Sequence, residues 1–490
     1  MFAKFKNKHM LDLLFLTLSQ LLNAFLSFII QIILVRVVSV EAYGALSTVL
    51  RLNTLFSTLI VFGVGRFWLR IFASEGVNAF RWVKPTLFLT ILSTFMTVLL
   101  YIITICFVEN NLTITIGFIM ISALIAQGTT DLALSVLQLE SNYKVISILQ
   151  VLNNGLRFLV VIIGSIISFD IYGIAIGFSM AALLLIVIQI PIIVRMFSEN
   201  LFIKEKSIAS EVSFVDSPDF KQTVVGTWPY AVGGFFFLVY YQVDILLLNI
   251  INGEMSAAYY NVAFTVLSFL YLFPNVLYQK FLLPKIHRWS VSSPGKIQTL
   301  NNLGTKCVAI IGSIFMIIVV ATSNTLIPLT FGKQYEVSAS ILMIMSLSLP
   351  FRLMGNNYGS LLVTRENMVK KAKYQGVGAV LNLTLNLLLI PYITVFGAAI
   401  STVITEGLIT LLFYRGVNKY IFKSAIRYKL NFNFFQFYLY IYMLVLVSFI
   451  FYILSLYKEN IYIFIYTFIT IVILIKPAKV IFREYILIKG

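Results

Sequence analysis

Hydrophobic runs of roughly 20 residues or more, each long enough to cross a bilayer as a helix, recur along nearly the whole chain. This pattern restricts the fold more than any motif does. In lipid only helices or closed barrels satisfy every backbone N–H and C=O, and runs of this length select helices over the short alternating segments of a barrel. The runs fall at about 11–37, 45–69, 86–108, 113–139, 145–168, 173–194, 223–250, 257–282, 307–329, 338–363, 374–391, 397–414, 433–456 and 460–475. The expected fold is an all-α polytopic membrane protein of about fourteen transmembrane helices. Composition removes the soluble alternative. Of 490 residues, 60% are hydrophobic and 11% charged, whereas soluble domains carry about 45–50% apolar and 25% charged residues.

The net charge of +17 does not mark a nucleic-acid binder, because the cations form no single patch or groove. They cluster instead in alternate connections between the runs: Lys4, Lys6 and Lys8; Arg70, Arg81 and Lys84; Lys144; Arg195, Lys204 and Lys206; Lys370, Lys371 and Lys373; Arg415, Lys419 and Lys423. The intervening connections hold only Arg36, Lys333 and Lys458. Under the positive-inside rule this asymmetry places both termini in the cytoplasm and requires an even number of spans. The basic start precedes an apolar stretch too long for a signal peptide, with no small-residue cleavage site after it, so it reads as a retained first helix. His9 and His287 fall in predicted cytoplasmic segments, which excludes a buried histidine relay. Cys106 and Cys307 lie near span ends on opposite predicted faces and carry no metal signature. No cofactor is implied.

The chain echoes itself at a shift of about 225 residues. Leu139-Glu-Ser-Asn142-Tyr-Lys144 matches Thr364-Arg-Glu-Asn367-Met-Val-Lys370, and a glycine-opened helix follows each, at Gly173 and at Gly397. Ser39-Val-Glu41-Ala-Tyr-Gly44 matches Asn252-Gly-Glu254-Met-Ser-Ala-Ala-Tyr259. These echoes divide the chain into a first six-helix lobe (1–197), a cytoplasmic linker (198–222), a second six-helix lobe (223–417) and a C-terminal helix pair (418–490). Two parallel bundles suit an alternating-access carrier with its path between the lobes.

Ionisable residues at membrane depth are costly and mark wet cavities or partners. Arg51, Arg66, Arg157 and Arg352 all fall inside runs. Arg51 and Arg66, fifteen positions apart, sit on similar sides of one helix at about 100° per residue. Guanidinium groups in a cavity suit a phosphate or pyrophosphate. Alternatively they pair with Asp131, Asp244 or Glu406 and hold helices together; those carboxylates are also candidates for binding a coupling proton or sodium ion. Gln20, Asn23, Ser27 and Gln31 make one stripe on the first run, and Thr223, Thr227, Tyr230, Gly234 and Tyr241 make another on the seventh. Such stripes line an aqueous path or glue helices by hydrogen bonds; Tyr230, Tyr240 and Tyr241 would suit sugar rings. Pro229, Pro274, Pro350 and Pro391 are candidate kinks.

Gly63-Val-Gly65-Arg-Phe-Trp-Leu-Arg70-Ile-Phe-Ala73 resembles the Gly-x-Gly-x4-Arg-x-x-Ala signature of polysaccharide transporters, with Arg70 at the motif arginine. Asn382-Leu-Thr-Leu-Asn386-Leu-Leu-Leu-Ile-Pro391, followed by Gly397-Ala-Ala-Ile-Ser-Thr402, resembles the second-half pattern of the same family. The family is the polysaccharide-transporter branch of the multidrug/oligosaccharidyl-lipid/polysaccharide superfamily, which includes Wzx-type O-antigen and capsule repeat-unit flippases. The resemblance implies two six-helix lobes in a MATE-like V around a cationic cavity. It also implies a cargo of undecaprenyl-pyrophosphate-linked glycan flipped from the cytoplasmic to the outer leaflet of the bacterial inner membrane. Membrane lipids and polysaccharide polymerase or chain-length proteins would be its partners. A small-molecule antiporter of the MATE type is the alternative on the same fold; it should show an acidic cavity, whereas here in-span arginines outnumber in-span acids. A membrane polymerase or ligase is disfavoured, because no predicted outside loop exceeds about a dozen residues and no nucleotide or metal motif appears.

Overall fold

A computed structural model of the chain describes residues 2–108, 110–198, 217–271, 286, 294–362 and 368–422. The helix pair expected at about 433–475, most of the linker, Pro274, His287 and the Thr364–Asn367 echo lie outside the described residues.

The fold is all-helical. The first unit, Met1–Ala258, contains α1 (Phe2–Val37), α2 (Val40–Val61), α3 (Val64–Glu75), α4 (Val83–Cys106), α5 (Asn111–Ile119), α6 (Ile121–Leu139), α7 (Tyr143–Ile167), α8 (Ile171–Val194) and α9 (Phe220–Asn252). The division falls inside α10 (Glu254–Leu270). The second unit continues with α11 (Pro294–Thr299), α12 (Thr305–Phe331), α13 (Glu336–Ser346), α14 (Leu349–Leu362) and α15 (Met368–Tyr420). The span pattern starts the second lobe at about 223, yet α9 groups with the first unit. Its packing explains this, since α9 lies along α2 and also touches α3 and α4.

Among the described residues, seven helical stretches are long and apolar enough to cross a membrane, or nine if each of two bent pairs counts as one span. Two of the seven, Val40–Cys106 at 67 residues and Val369–Tyr420 at 52 residues, exceed a single crossing at about 1.5 Å rise per residue. The described residues therefore support a multi-pass protein without fixing the count at fourteen.

Several expected single spans are broken. The run at about 45–69 divides into α2 and α3 at Phe62 and Gly63, both left-handed (φ 46° and 74°). Arg51 and Arg66 consequently sit on separate helices, and the shared-face expectation fails. α5 and α6 bend by 48° at Met120, and the Lys333–Ser346 and Leu349–Leu362 segments by 47°. Pro350 stands in the first turn of α14, where its missing N–H costs nothing. The kink of α15 at Ile393 and Thr394, just past Pro391, falls instead between two runs expected as separate spans, at about 374–391 and 397–414. The kink folds Gly397 against Leu389, whose carbonyl carbon lies 2.7 Å from where a Cβ would sit, so glycine is required there. By contrast, α9 runs on through Pro229.

The burial pattern is that of a lipid-solvated bundle. On α4, Ile91, Phe95, Leu99 and Ile103 are exposed while Thr86, Thr90, Thr97 and Tyr101 are buried. A water-facing helix would show the opposite arrangement. The core of the first unit gathers around Trp68, Tyr101, Phe56 and Leu124, and Trp68 Nε1 donates to Thr86 Oγ1 at 2.9 Å.

Candidate functional site

The glycine-arginine signature acquires a physical meaning in the first unit. Gly63 adopts a left-handed φ, and a Cβ there would lie 2.7 Å from Ala231 N and 2.8 Å from the Thr227 carbonyl oxygen. Only glycine admits both the conformation and the approach of α9. A Cβ on Gly65 would overlap the Ser135 hydroxyl, so α3 also closes tightly on α6. This clamp aims the arginines. Arg66 and Arg70, one turn apart on α3, are both exposed. Arg70 Nη1 donates to the Tyr230 hydroxyl at 3.3 Å. Arg66 Nη1 reaches α9 beside Gly234, and its charge acts on Asp131 of α6, which is itself exposed. Two guanidiniums, a phenol and a carboxylate thus share one patch. Such a patch can hold an anionic group by charge-assisted hydrogen bonds.

Arg157 lies elsewhere in the unit. It lines a cleft between α6, α7 and α8, with Gln127, Thr130 and Asn153 on the walls. Its guanidinium carbon stands 5.8 Å from the Phe178 ring centroid. Among the described residues, no carboxylate lies within 4.0 Å of it.

Arg352 in the second unit follows the ion-pair alternative. Its Nη1 donates to Glu406 Oε1 at 2.6 Å, the two side chains being 7% and 5% exposed. Tyr271 covers the guanidinium at 5.2 Å. Arg352 and Glu406 therefore belong to a sealed pair, which leaves neither facing open space. Arg51 is half-buried on α2, and Asp244 is buried on α9.

The polar stripe of α1 is divided between glue and open positions. Gln31 Oε1 accepts from the Tyr43 hydroxyl at 2.6 Å, whereas at Asn23 the backbone carbonyl, not the side chain, accepts from Asn154 Nδ2 at 3.0 Å as α1 packs on α7. Gln20 is half-buried and Ser27 exposed. On α9, Tyr241 stacks on Phe237 at 5.5 Å and Tyr240 is buried, so of the three tyrosines singled out only Tyr230 joins the arginines.

Glu254 entered the sequence reading only as part of an echo. Glu254 is buried at the start of α10, where its carboxylate accepts from Thr113 Oγ1 at 3.0 Å and Gly44 of α2 packs against its backbone. The two echoed segments meet here. Burial, together with the like charge of Glu41, raises the Glu254 carboxyl above its ordinary range, although hydrogen bonds from Thr113 and Asn110 oppose the shift. The echo itself was legible; that its halves touch was not.

Comparison with known proteins places this geometry. The family model described as "Polysaccharide biosynthesis protein" matches residues 11–289, more than half of the chain. A protein of Escherichia coli (strain K12) named "Putative O-antigen transporter" is 30% identical over 173 residues, which is 34% of this chain and 40% of the relative. The matched stretch is thus under half of that relative's length. Among solved structures, "Lipid II flippase MurJ, inward closed conformation" aligns over 96% of this chain and 99% of its own at a TM-score of 0.65 and 14% identity. An outward-facing MATE family transporter of the MOP superfamily aligns over 83% and 95% at 0.54 and 12% identity. At such identities these two show the fold alone.

Proposed function

This chain belongs to the polysaccharide biosynthesis protein family, and from that premise we propose that it is a flippase for undecaprenyl-pyrophosphate-linked oligosaccharide repeat units. It would carry them from the cytoplasmic to the outer leaflet of the bacterial inner membrane by alternating access, with both termini in the cytoplasm. The observation that carries the reading is the patch of Arg66, Arg70 and Tyr230. Guanidinium forks match phosphate oxygens two at a time, and a tyrosine offers an apolar face and a hydroxyl to a sugar ring. Asp131, held in the field of Arg66, is the carboxylate best placed to carry a coupling proton or sodium ion, because Arg352 engages Glu406.

A MATE-type antiporter for organic cations is the second reading, favoured by the shared fold. Against it, the patch sets two arginines beside one aspartate, and a cation would be repelled. Replacing Arg66 and Arg70 together by Ala in the native host tests the proposal. Surface polysaccharide should fall by about tenfold or more, the loss of a charged hydrogen bond at each site, while protein abundance holds. Full glycan display at normal abundance would overturn it.

A further inference from the structure

We propose that the α6–α7–α8 cleft of the first unit is a binding site for a small monovalent inorganic anion of the chloride class, held by Arg157 with Asn153. The inference is independent of the cargo proposed above. Arg157 is half-buried, and a guanidinium partly withdrawn into a helical bundle is costly unless an opposite charge or strong acceptors meet it. Arg352 shows how this fold meets that need, with Glu406 at 2.6 Å.

Arg157 has no such partner. Among the described residues its guanidinium meets no carboxylate and no hydrogen-bond acceptor, only the face of Phe178. A ring contact offsets part of the charge and leaves the N–H donors without a strong acceptor. Asp131, the nearest acid along α6, lies one turn beyond Gln127, is exposed with Arg66 and stands more than 4.0 Å from Arg157.

Two carboxamides in the cleft, Asn153 and Gln127, can donate into it. Asn153 stands four residues before Arg157 on α7, so both side chains share one face, and the Asn153 carboxamide has no hydrogen-bond partner among the described residues. Thr130 is committed, giving its hydrogen to the Ala126 carbonyl at 2.6 Å and accepting from Gln189 Nε2 at 2.7 Å. Gln127 Nε2 spends one of its two N–H groups on Thr54 at 3.4 Å. Ala126, Ala181 and Ala182 leave the space that larger side chains would fill. A cleft lined by one full positive charge, two carboxamides and no carboxylate is matched by one negative charge. A pyrophosphate would bring more charge than a single guanidinium neutralises.

The test uses the purified full-length protein in detergent at constant ionic strength, with sodium chloride exchanged stepwise for sodium gluconate. Chloride should raise the melting temperature in a saturable way, since a ligand that binds only the folded state stabilises it. Arg157→Gln should abolish that rise. Asn153→Ala, which removes one hydrogen bond and keeps the charge, should shift the half-saturating chloride concentration upward by about threefold, and it keeps the test open if Arg157→Gln does not fold. Equal melting in chloride and gluconate would overturn the proposal, as would a chloride response unchanged in either variant. Stabilisation through Arg157 by inorganic pyrophosphate with none by chloride would also overturn it, placing Arg157 on the cargo route. Glycan display in the Arg66/Arg70 variant bears on the flippase reading alone.

Discussion

Arg157 on α7 and Arg352 on α14 look alike in the sequence, each a single guanidinium within an apolar run, but the two units treat them differently. The second unit closes Glu406 and Tyr271 around Arg352 and seals it from solvent. The first unit brings only an aromatic ring to Arg157 and leaves a cleft before it. It also aims Arg66 and Arg70 outward from α3. A sealed pair serves the fold, because its charge is satisfied internally. An open guanidinium has capacity to spare for something that enters. Identical side chains acquire opposite roles from what the neighbouring helices carry.

The largest expected effect breaks the sealed side of this contrast. Arg352→Ala removes the buried cation that meets Glu406 at 2.6 Å, which should cost about 3–5 kcal/mol and appear as a collapse of thermal stability in detergent. The double variant Arg352→Met/Glu406→Leu should recover most of that loss, since well-packed apolar residues often replace a buried pair without penalty. A mild effect of Arg352→Ala alone would show that the pair is not sealed and would erase the contrast with Arg157.

A smaller effect is expected from Gly63→Ala, which tests the clamp behind the open patch. Left-handed backbone costs a non-glycine residue about 1–2 kcal/mol, and the added methyl would also press on the α9 backbone. Melting temperature should drop by several degrees, and Arg70 should lose its contact with Tyr230, measurable as a fall in glycan display larger than the fall in abundance. Unchanged stability and display would mean that the close approach of α9 is dispensable.

The smallest effect is a pH slope. Glu254 has its carboxyl raised by burial and by Glu41. Its contribution to stability is therefore complete below the ordinary glutamate value of 4.5 and is lost as pH rises through the raised value. Glu254→Gln, which fixes the neutral form, should flatten the melting temperature above pH 4.5. A slope identical to that of the unmodified protein would remove Glu254 as its source.

Much of the fold was legible because lipid imposes a simple rule on sequence. Apolar length identified helices such as α4, α7 and α8 within a few residues of their ends. The breaks were harder. Pro391 and Pro350 announced two of them, but the α2–α3 break depends on Phe62 and Gly63 turning left-handed beneath α9. Periodicity cannot foresee a helix that stops because another crosses it. For the same reason the angular argument joining Arg51 to Arg66 failed. The glycine-arginine signature includes Arg70, but its tyrosine partner stands 160 residues away.

The sequence by itself determined that this is a multi-pass helical membrane protein of the polysaccharide biosynthesis family, because hydrophobic length and local motif are properties of contiguous residues. Only the tertiary structure decided which arginine is sealed and which is open. The state of a charge depends on what stands within a few ångströms of it, and for Arg352, Arg70 and Arg157 those neighbours come from other helices.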